Sequence, residues 1–223
     1  MNLAQTLVIG LIRVGTGISC RIDDPDINKV PDRGPMILAI NHINSLEVPL
    51  LLARLSPRKM VGLAKLETWN NKFMGWLFDL FNSIPIRRGE VDLKAIHSCL
   101  KVLSSEKILA VAPEGTRSYD GKLLLGRPGI VLIALHSGVP ILPVAHWGGE
   151  NFSRNLKRIK RTDFHIRVGK PFILDTDGEK PVGKVRQEIV DEIMCQIAAL
   201  MPAEYRGQYA NCGTLSLKYI RFV

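Results

Sequence analysis

Three short apolar runs constrain this chain more than anything else in it: Pro35-Met36-Ile37-Leu38-Ala39-Ile40, Ile108-Leu109-Ala110-Val111-Ala112 and Ile141-Leu142-Pro143-Val144. A strand with one face in water alternates apolar and polar side chains. A run with no polar position reads as a strand buried on both faces, which is the habit of parallel sheets covered by helices. Helical spacing fills the intervals. The chain therefore reads as one layered α/β domain, with a largely parallel or mixed central sheet flanked by helices.

Local signals place the remaining elements. Ser45 suits the N-cap of a helix running toward Leu55, with Pro49 close to its first turn, where a missing N–H costs least. Residues 59–64 read as a second strand and residues 69–81 as a helix rich in large apolar side chains. Ile84-Pro85-Ile86 is extended. Residues 91–103 read as a helix, with Val91, Ala95, Leu100 and Leu103 as its apolar contacts. Pro128 can open a helix through Ile130, Leu132, Ile133 and Leu135, which Gly138 ends. Pro143 argues that its strand ends there or lies at a sheet edge. Residues 164–168 alternate as a strand does. Val185, Ile189, Ile193 and Ile197 mark a last long helix. The division expected is an N-terminal helix in residues 1–20, the domain in 21–204, and a tail in 205–223 with no usable pattern.

Composition narrows the partners. With 223 residues the chain can bury a full core unaided. Its four cysteines, Cys20, Cys99, Cys195 and Cys212, include no C-x-x-C pair. That spacing argues against a metal site or disulfide framework and for a reducing compartment. A formal charge of +9 calls for anionic partners, and an aromatic content of 6% with no RNA-binding pattern weighs against nucleic acid. Residues 154–170 carry seven cations against Asp163 alone. They form either a solvated face or a patch for anionic lipid. No apolar stretch is long enough to span a membrane. Leu3, Leu7, Leu11 and Val14 fall at helical spacing, with Val8 and Ile12 beside them. That helix either packs on the domain or lies in a membrane interface. The cluster Trp69, Phe73, Trp76, Phe78 and Phe81 is expected in the core, with an interfacial or acyl-facing surface as its competitor.

Two segments carry the chemistry, and both fall where a buried strand ends, the usual place for function in such sheets. The first is Asn41-His42-Ile43-Asn44-Ser45-Leu46-Glu47. On one continuous helix, five residues turn by about 140°, so His42 and Glu47 would not face each other. They meet if His42 lies in the loop and Glu47 in the first helical turn. Glu47 then fixes the imidazole tautomer and stabilises the imidazolium. The second is Pro113-Glu114-Gly115-Thr116-Arg117-Ser118. Gly115 frees the backbone to turn, so that N–H groups and Arg117 can bind an anion. Glu114 either braces the loop or binds a substrate hydroxyl. Lys65 with Glu67, and Arg87-Arg88-Gly89, are further candidates for phosphate or plain surface. A general base, its orienting group and an anion site suit transfer of a group onto a hydroxyl of a phosphate-bearing acceptor.

In order and spacing, the segments Asn41-His42-x4-Glu47, Ile84-Pro85-Ile86-Arg87-Arg88-Gly89, Pro113-Glu114-Gly115-Thr116-Arg117-Ser118 and Val139-Pro140-Ile141-Leu142-Pro143-Val144 resemble the four motifs of the glycerolipid acyltransferases. The lysophosphatidic acid acyltransferases typify that family. The resemblance covers about residues 35–145, and Glu-Gly-Thr-Arg-Ser is its most specific part. It implies a membrane-associated enzyme on the cytoplasmic face. Such an enzyme moves a fatty acyl group from a thioester of coenzyme A or acyl carrier protein to the sn-2 hydroxyl of 1-acylglycerol-3-phosphate. It uses no metal and no cofactor beyond the acyl donor, forms no acyl-enzyme, and has no nucleic-acid partner.

Carried over by residue, His42 is the base and Glu47 its partner. Lys65, Arg87, Arg88, Glu114, Gly115, Thr116 and Arg117 bind substrate, with Arg88 preferred over Arg87 as the motif arginine. Pro140 and Pro143 shape the wall behind the site. One residue departs from the pattern: the commonest form has aspartate where Glu47 stands. The extra methylene moves the carboxylate outward by roughly a bond length and re-aims its hydrogen bond. The departure puts the usual acceptor in question. Glycerol-3-phosphate, another lyso-lipid, or non-catalytic lipid binding by a basic surface are the alternatives.

Overall fold

In a computed structural model the apolar runs become neighbouring strands at the middle of one sheet. The structure describes residues 1–87, 89, 92–212 and 217–223; Arg88 and Val91 lie outside them. The strands are β1 (Cys20–Asp23), β2 (Met36–Ile40), β3 (Met60–Lys65), β4 (Ile84–Ile86), β5 (Ile108–Val111), β6 (Ile141–Trp147), β7 (Thr162–Val168), β8 (Phe172–Leu174) and β9 (Ile220–Phe222). Their order is β1-β7-β6-β2-β5-β3-β4, with β8 paired to β6 and β9 to β8. The pairs from β6 through β2, β5 and β3 to β4 are parallel, as is β1 with β7. The pairs β6–β7, β6–β8 and β8–β9 are antiparallel.

The helices are α1 (Leu3–Ser19), α2 (Glu47–Leu55), α3 (Lys72–Leu80), α4 (Leu93–Ser104), α5 (Gly129–Ser137), α6 (Phe152–Lys157) and α7 (Gly183–Ala199). Side chains alternate across a strand, so β2 feeds two cores. Ile37 and Ala39 pack with α4, α5 and α7, whereas Met36, Leu38 and Ile40 pack with Leu50 and Leu51 of α2. With helices on both faces, an unbroken apolar run is what the strand requires. Pro128 and Gly138 do bound α5, and Gly138 takes the left-handed conformation that ends it.

Four expectations fail, two for local reasons and two because distant residues meet. Pro143 is neither at a strand end nor at an edge: β6 lies between β2 and β7 and continues to Trp147. Its outer neighbour changes at that point, from β8 at Ile141 to β7 from Val144 onward. The missing N–H falls in the gap between the two ladders, while the Pro143 carbonyl accepts from Gly169 N–H at 2.9 Å. Second, the cysteines do pair: Cys195 of α7 is bonded to Cys212, with the Cα atoms 5.5 Å apart. A separation of 17 residues hides this in the sequence. The pairing removes the ground for inferring a reducing compartment.

The tail is the third. The Glu192 carboxylate accepts the N–H groups of Lys218 and Tyr219. Tyr209, Tyr219 and Ile220 then enter the core, and β9 extends the sheet. The fourth is the aromatic cluster. None of its five rings is buried, and Phe73 and Trp76 are 67% and 50% exposed. The expected single helix is broken in two, because the Asn71 side chain caps α3 by accepting Met74 N–H after a 3-10 turn at Leu66–Asn70.

α1 packs on the domain along one side. Gln5, Val8, Ile9, Ile12 and Thr16 face the domain. Polar groups fasten it: Gln5 to the Leu80 carbonyl, Arg13 to the carbonyls of Ala53 and Ser56, and Arg161 to those of Gly17 and Cys20. Leu3, Leu7, Leu11, Val14 and Ile18 form one stripe pointing outward, each between 59% and 76% exposed. No described helix is long and apolar enough to cross a membrane.

Candidate active site

The site forms where β6, β2 and β5 end side by side. β2 stops at Ile40, and the chain turns through Asn41 and His42 into a loop before α2. Beyond the end of β2, β6 continues, and Asn41 bridges to it. The Asn41 side-chain amide donates to the His146 carbonyl at 2.8 Å and its oxygen accepts His146 N–H at 2.9 Å. A buried side chain thus completes the sheet where the backbone ladder has ended.

Glu47 is the first residue of α2, and no side chain caps that helix. Ser45 is not the cap expected from the sequence. Asn44 takes the Leu46 N–H at 2.7 Å, and Glu47 Oε1 reaches back to accept the N–H groups of Ile43 and Asn44. The carboxylate so fixed lies between two imidazoles. His42 Nδ1 is 3.5 Å from Oε2, and His146 Nε2 is 3.3 Å from Oε1. Neither contact is aligned as a hydrogen bond. Burial opposes ionisation of Glu47, but His146, His42 and the Asn44 N–H outweigh it and hold the carboxyl well below its usual range. His42 is the partner that reaches solvent: its side chain is 15% exposed, against 1% for Glu47. Among the described residues no cluster of three such groups is arranged to hold a metal ion.

Glu114 follows β5 and braces the loops. Its Oε1 accepts the backbone N–H of His42 at 2.8 Å and its Oε2 that of Leu124 at 2.9 Å, so both oxygens are occupied. Burial pushes its carboxyl up to about 7 against the pull of those two N–H groups, and the Glu47 and Asp120 charges add to the rise. Ser118 N–H and Tyr119 N–H bond to the carbonyls of His42 and Ile43. The two motif loops are thereby stitched together. Gly115 has φ +67, the left-handed region that favours glycine, and a Cβ there would crowd the Arg127 side chain at 3.1 Å.

Thr116 and Arg117 are exposed. Arg117 has no protein partner among the described residues. Lys65 and Arg87 stand exposed at the ends of β3 and β4, where Lys65 pairs with Ile86 in the ladder. Lys65 also makes a loose ion pair with Glu67 at 3.4 Å. All these cations lie at the same end of the sheet as His42. Pro143 lies within β6. The carbonyl of Pro140, just before that strand, accepts the N–H of Ile37 at the start of β2, so Pro140 stands at the opposite end of the strands from His42 and does not wall the site. The sequence reading missed two residues. His146 was visible as a polar residue continuing an apolar run, and Arg127 as a cation just before Pro128. Neither carries a motif. A cavity of about 220 Å³ lined by Met1, Ile9, Leu52, Met60 and Phe81 lies by the start of β3, away from this chemistry.

An imidazole backed by a buried carboxylate, beside a cationic loop at the ends of parallel strands, has the groups that proton transfer on an anionic substrate requires. The chain belongs to the Acyltransferase family, whose model matches residues 21–147. It is 30% identical over 146 residues to a 1-acyl-sn-glycerol-3-phosphate acyltransferase of Limnanthes douglasii, covering 64% of this chain and 50% of that protein. It is 32% identical over 114 residues to a lyso-ornithine lipid O-acyltransferase of Pseudomonas aeruginosa, covering 51% of this chain and 43% of the relative. The chain thus spans about half the length of these curated relatives. The fold is shared with the crystal structure of the 1-acyl-sn-glycerophosphate acyltransferase PlsC of Thermotoga maritima. The TM-score is 0.63 and the identity 21%, over 88% of this chain and 78% of that one.

Proposed function

We propose that the protein transfers a fatty acyl group from a thioester, on coenzyme A or acyl carrier protein, to the sn-2 hydroxyl of 1-acylglycerol-3-phosphate at a membrane surface. The observation that carries this reading is His42, partly open to solvent and backed by the buried Glu47 carboxylate. His42 Nε2 takes the hydroxyl proton as the oxygen attacks the thioester carbonyl. The tetrahedral intermediate collapses, the C–S bond breaks, and the imidazolium returns the proton to the departing sulfur. Glu47 holds the ring and stabilises its charged form. No protein nucleophile enters. Arg117, Arg127 and the Gly115 loop hold the acceptor's phosphate, and Lys65 and Arg87 extend the positive field along the strand ends.

Membrane binding rests on the outward stripe of α1 and on Phe73 and Trp76, which α1 adjoins through the Gln5–Leu80 bond. The turn after α6 adds Leu156 and Ile159, 54% and 97% exposed among Arg154, Lys157, Arg158 and Lys160. Apolar groups ringed by cations suit an anionic bilayer.

The test is thiol release from an acyl thioester, with and without lysophosphatidic acid, for wild type and His42→Ala. Release that needs the acceptor and disappears in the variant is expected. Release without acceptor would overturn direct transfer in favour of hydrolysis. A different lyso-lipid acceptor is the second reading, favoured by Glu47 in place of aspartate and by the resemblance to the lyso-ornithine lipid enzyme. It predicts the same dependence on His42 with another acceptor.

A further inference from the structure

We propose that His146 is a positioning residue for the transfer: it fixes the longer Glu47 side chain so that one carboxylate oxygen is left to His42 alone. The inference rests on His42 as the base and concerns what makes a glutamate serviceable behind it. Glutamate has one more rotatable bond than aspartate, and so needs one more restraint to aim its carboxylate. The surroundings of Glu47 hold such a restraint. Oε1 accepts two backbone N–H groups and also faces His146 Nε2 at 3.3 Å; Oε2 faces His42 Nδ1 at 3.5 Å.

His146 is itself immobilised. Asn41 holds both its backbone N–H and its carbonyl, and its ring stacks on Phe164 at 5.7 Å and 8°. Its side chain is 2% exposed, so it cannot reach a substrate. The other residues lining the small space beside Glu47 and His146 are apolar: Leu51, Val144, Phe164 and Ile166. The titratable groups facing it are His42 from the loop after β2 and His146 from β6, with Glu114 beyond His42.

His42 Nδ1, His146 Nε2 and Glu47 Oε2 are buried without an aligned hydrogen bond. Three such atoms in one place are a poor way to stabilise a fold, and unsatisfied buried groups of this kind call for a functional explanation. Catalytic hydrogen bonds that are loose without substrate commonly tighten in the reacting complex.

A double-substitution cycle tests this, with acceptor-dependent thiol release and thermal melting measured for wild type, His146→Gln, Glu47→Asp and the pair. His146→Gln is expected to lower kcat about tenfold to a hundredfold, as loss of a group supporting a reactive one commonly does, and to leave the acceptor KM within about twofold. In the Glu47→Asp background the shortened carboxylate no longer meets His146, and the same change is expected to cost less than about threefold. Equal losses in both backgrounds would assign His146 a merely structural role and overturn the proposal, as would unchanged kcat in His146→Gln. If the glutamine variant does not fold, His146→Asn, a smaller donor, carries the same comparison. His42→Ala is the control. If it retains acceptor-dependent release, the base assignment fails first; if it is inactive while His146→Gln matches wild type, only the role of His146 fails.

Discussion

The strand-end site and the outer face of α1 are built on opposite rules. At the strand ends, charge goes inside: Glu47 and Glu114 are 1% and 2% exposed, and backbone N–H groups meet their oxygens. On α1, oil goes outside: five large apolar side chains face away from the domain while polar groups fasten the helix to it. Each arrangement is costly in a water-soluble fold, since buried carboxylates lose hydration and exposed apolar stripes gain nothing from folding. On the function proposed above, the buried charges serve the reaction and the exposed stripe serves a membrane surface.

The comparison breaks most readily at His42. Its side chain makes no aligned hydrogen bond. His42→Ala is therefore expected to cut acceptor-dependent thiol release by about a hundredfold to ten-thousandfold, the range for a general base. The melting temperature should stay close to wild type. A large loss of stability would mean that the ring serves the fold and that the two regions are less different than they look.

Next in size is Arg117→Ala. A charge-assisted contact to phosphate is worth about 1.5–3 kcal/mol, so KM for a phosphate-bearing acceptor should rise roughly tenfold to a hundredfold. An acceptor without phosphate should be affected far less. Steady-state kinetics with a paired set of acceptors decides this.

On the other region, Leu7→Ser and Leu11→Ser together should reduce binding to anionic vesicles about tenfold or more, from the transfer energy of two side chains. Activity in detergent should be unchanged, and folding stability should not fall, because both side chains already face out. Reduced stability with unchanged vesicle binding would return α1 to the status of an ordinary packed helix.

The smallest effect is in pH dependence, and it sharpens the contrast within the site. Glu114 is raised to about 7 from an ordinary 4.5, so the folded state holds a proton that the unfolded state releases. Its contribution to stability is therefore present below about pH 4.5 and is lost as pH rises toward 7, then stays level. Glu47 is lowered and works the other way, stabilising above its unfolded pKa and losing that stability in acid. Denaturant titrations of Glu114→Gln across about pH 3 to 8 should remove the first slope, between about pH 4.5 and 7, and leave the second, which lies below about pH 4.5.

Much of this was legible in the chain itself. The runs at residues 35–40 and 108–112 read as buried strands because burial on both faces removes every polar position, and 141–144 read as a strand though not as an interior one. Pro128 and Gly138 marked α5 because each has a backbone restriction that acts locally. The angle arithmetic excluded one continuous helix for His42 and Glu47 and left a loop followed by a first helical turn as the way they meet, though Ser45, the cap assumed for it, is not the cap. Pro143 misled because its missing N–H is harmless only when one partner strand stops and another begins. The tail was illegible because Glu192, Cys195 and Cys212 fix it from a distance.

The sequence by itself determined the layered α/β class and the loops that carry the site, since periodicity, caps and turn residues act over a few positions. It also determined that α1 has an apolar stripe. Only the tertiary structure decided which way that stripe faces, that Glu114 is spent on backbone N–H groups, and that His146 stands 3.3 Å from Glu47. These depend on residues about seventy to a hundred apart, brought together by the order of strands in the sheet. No local spacing encodes such a meeting.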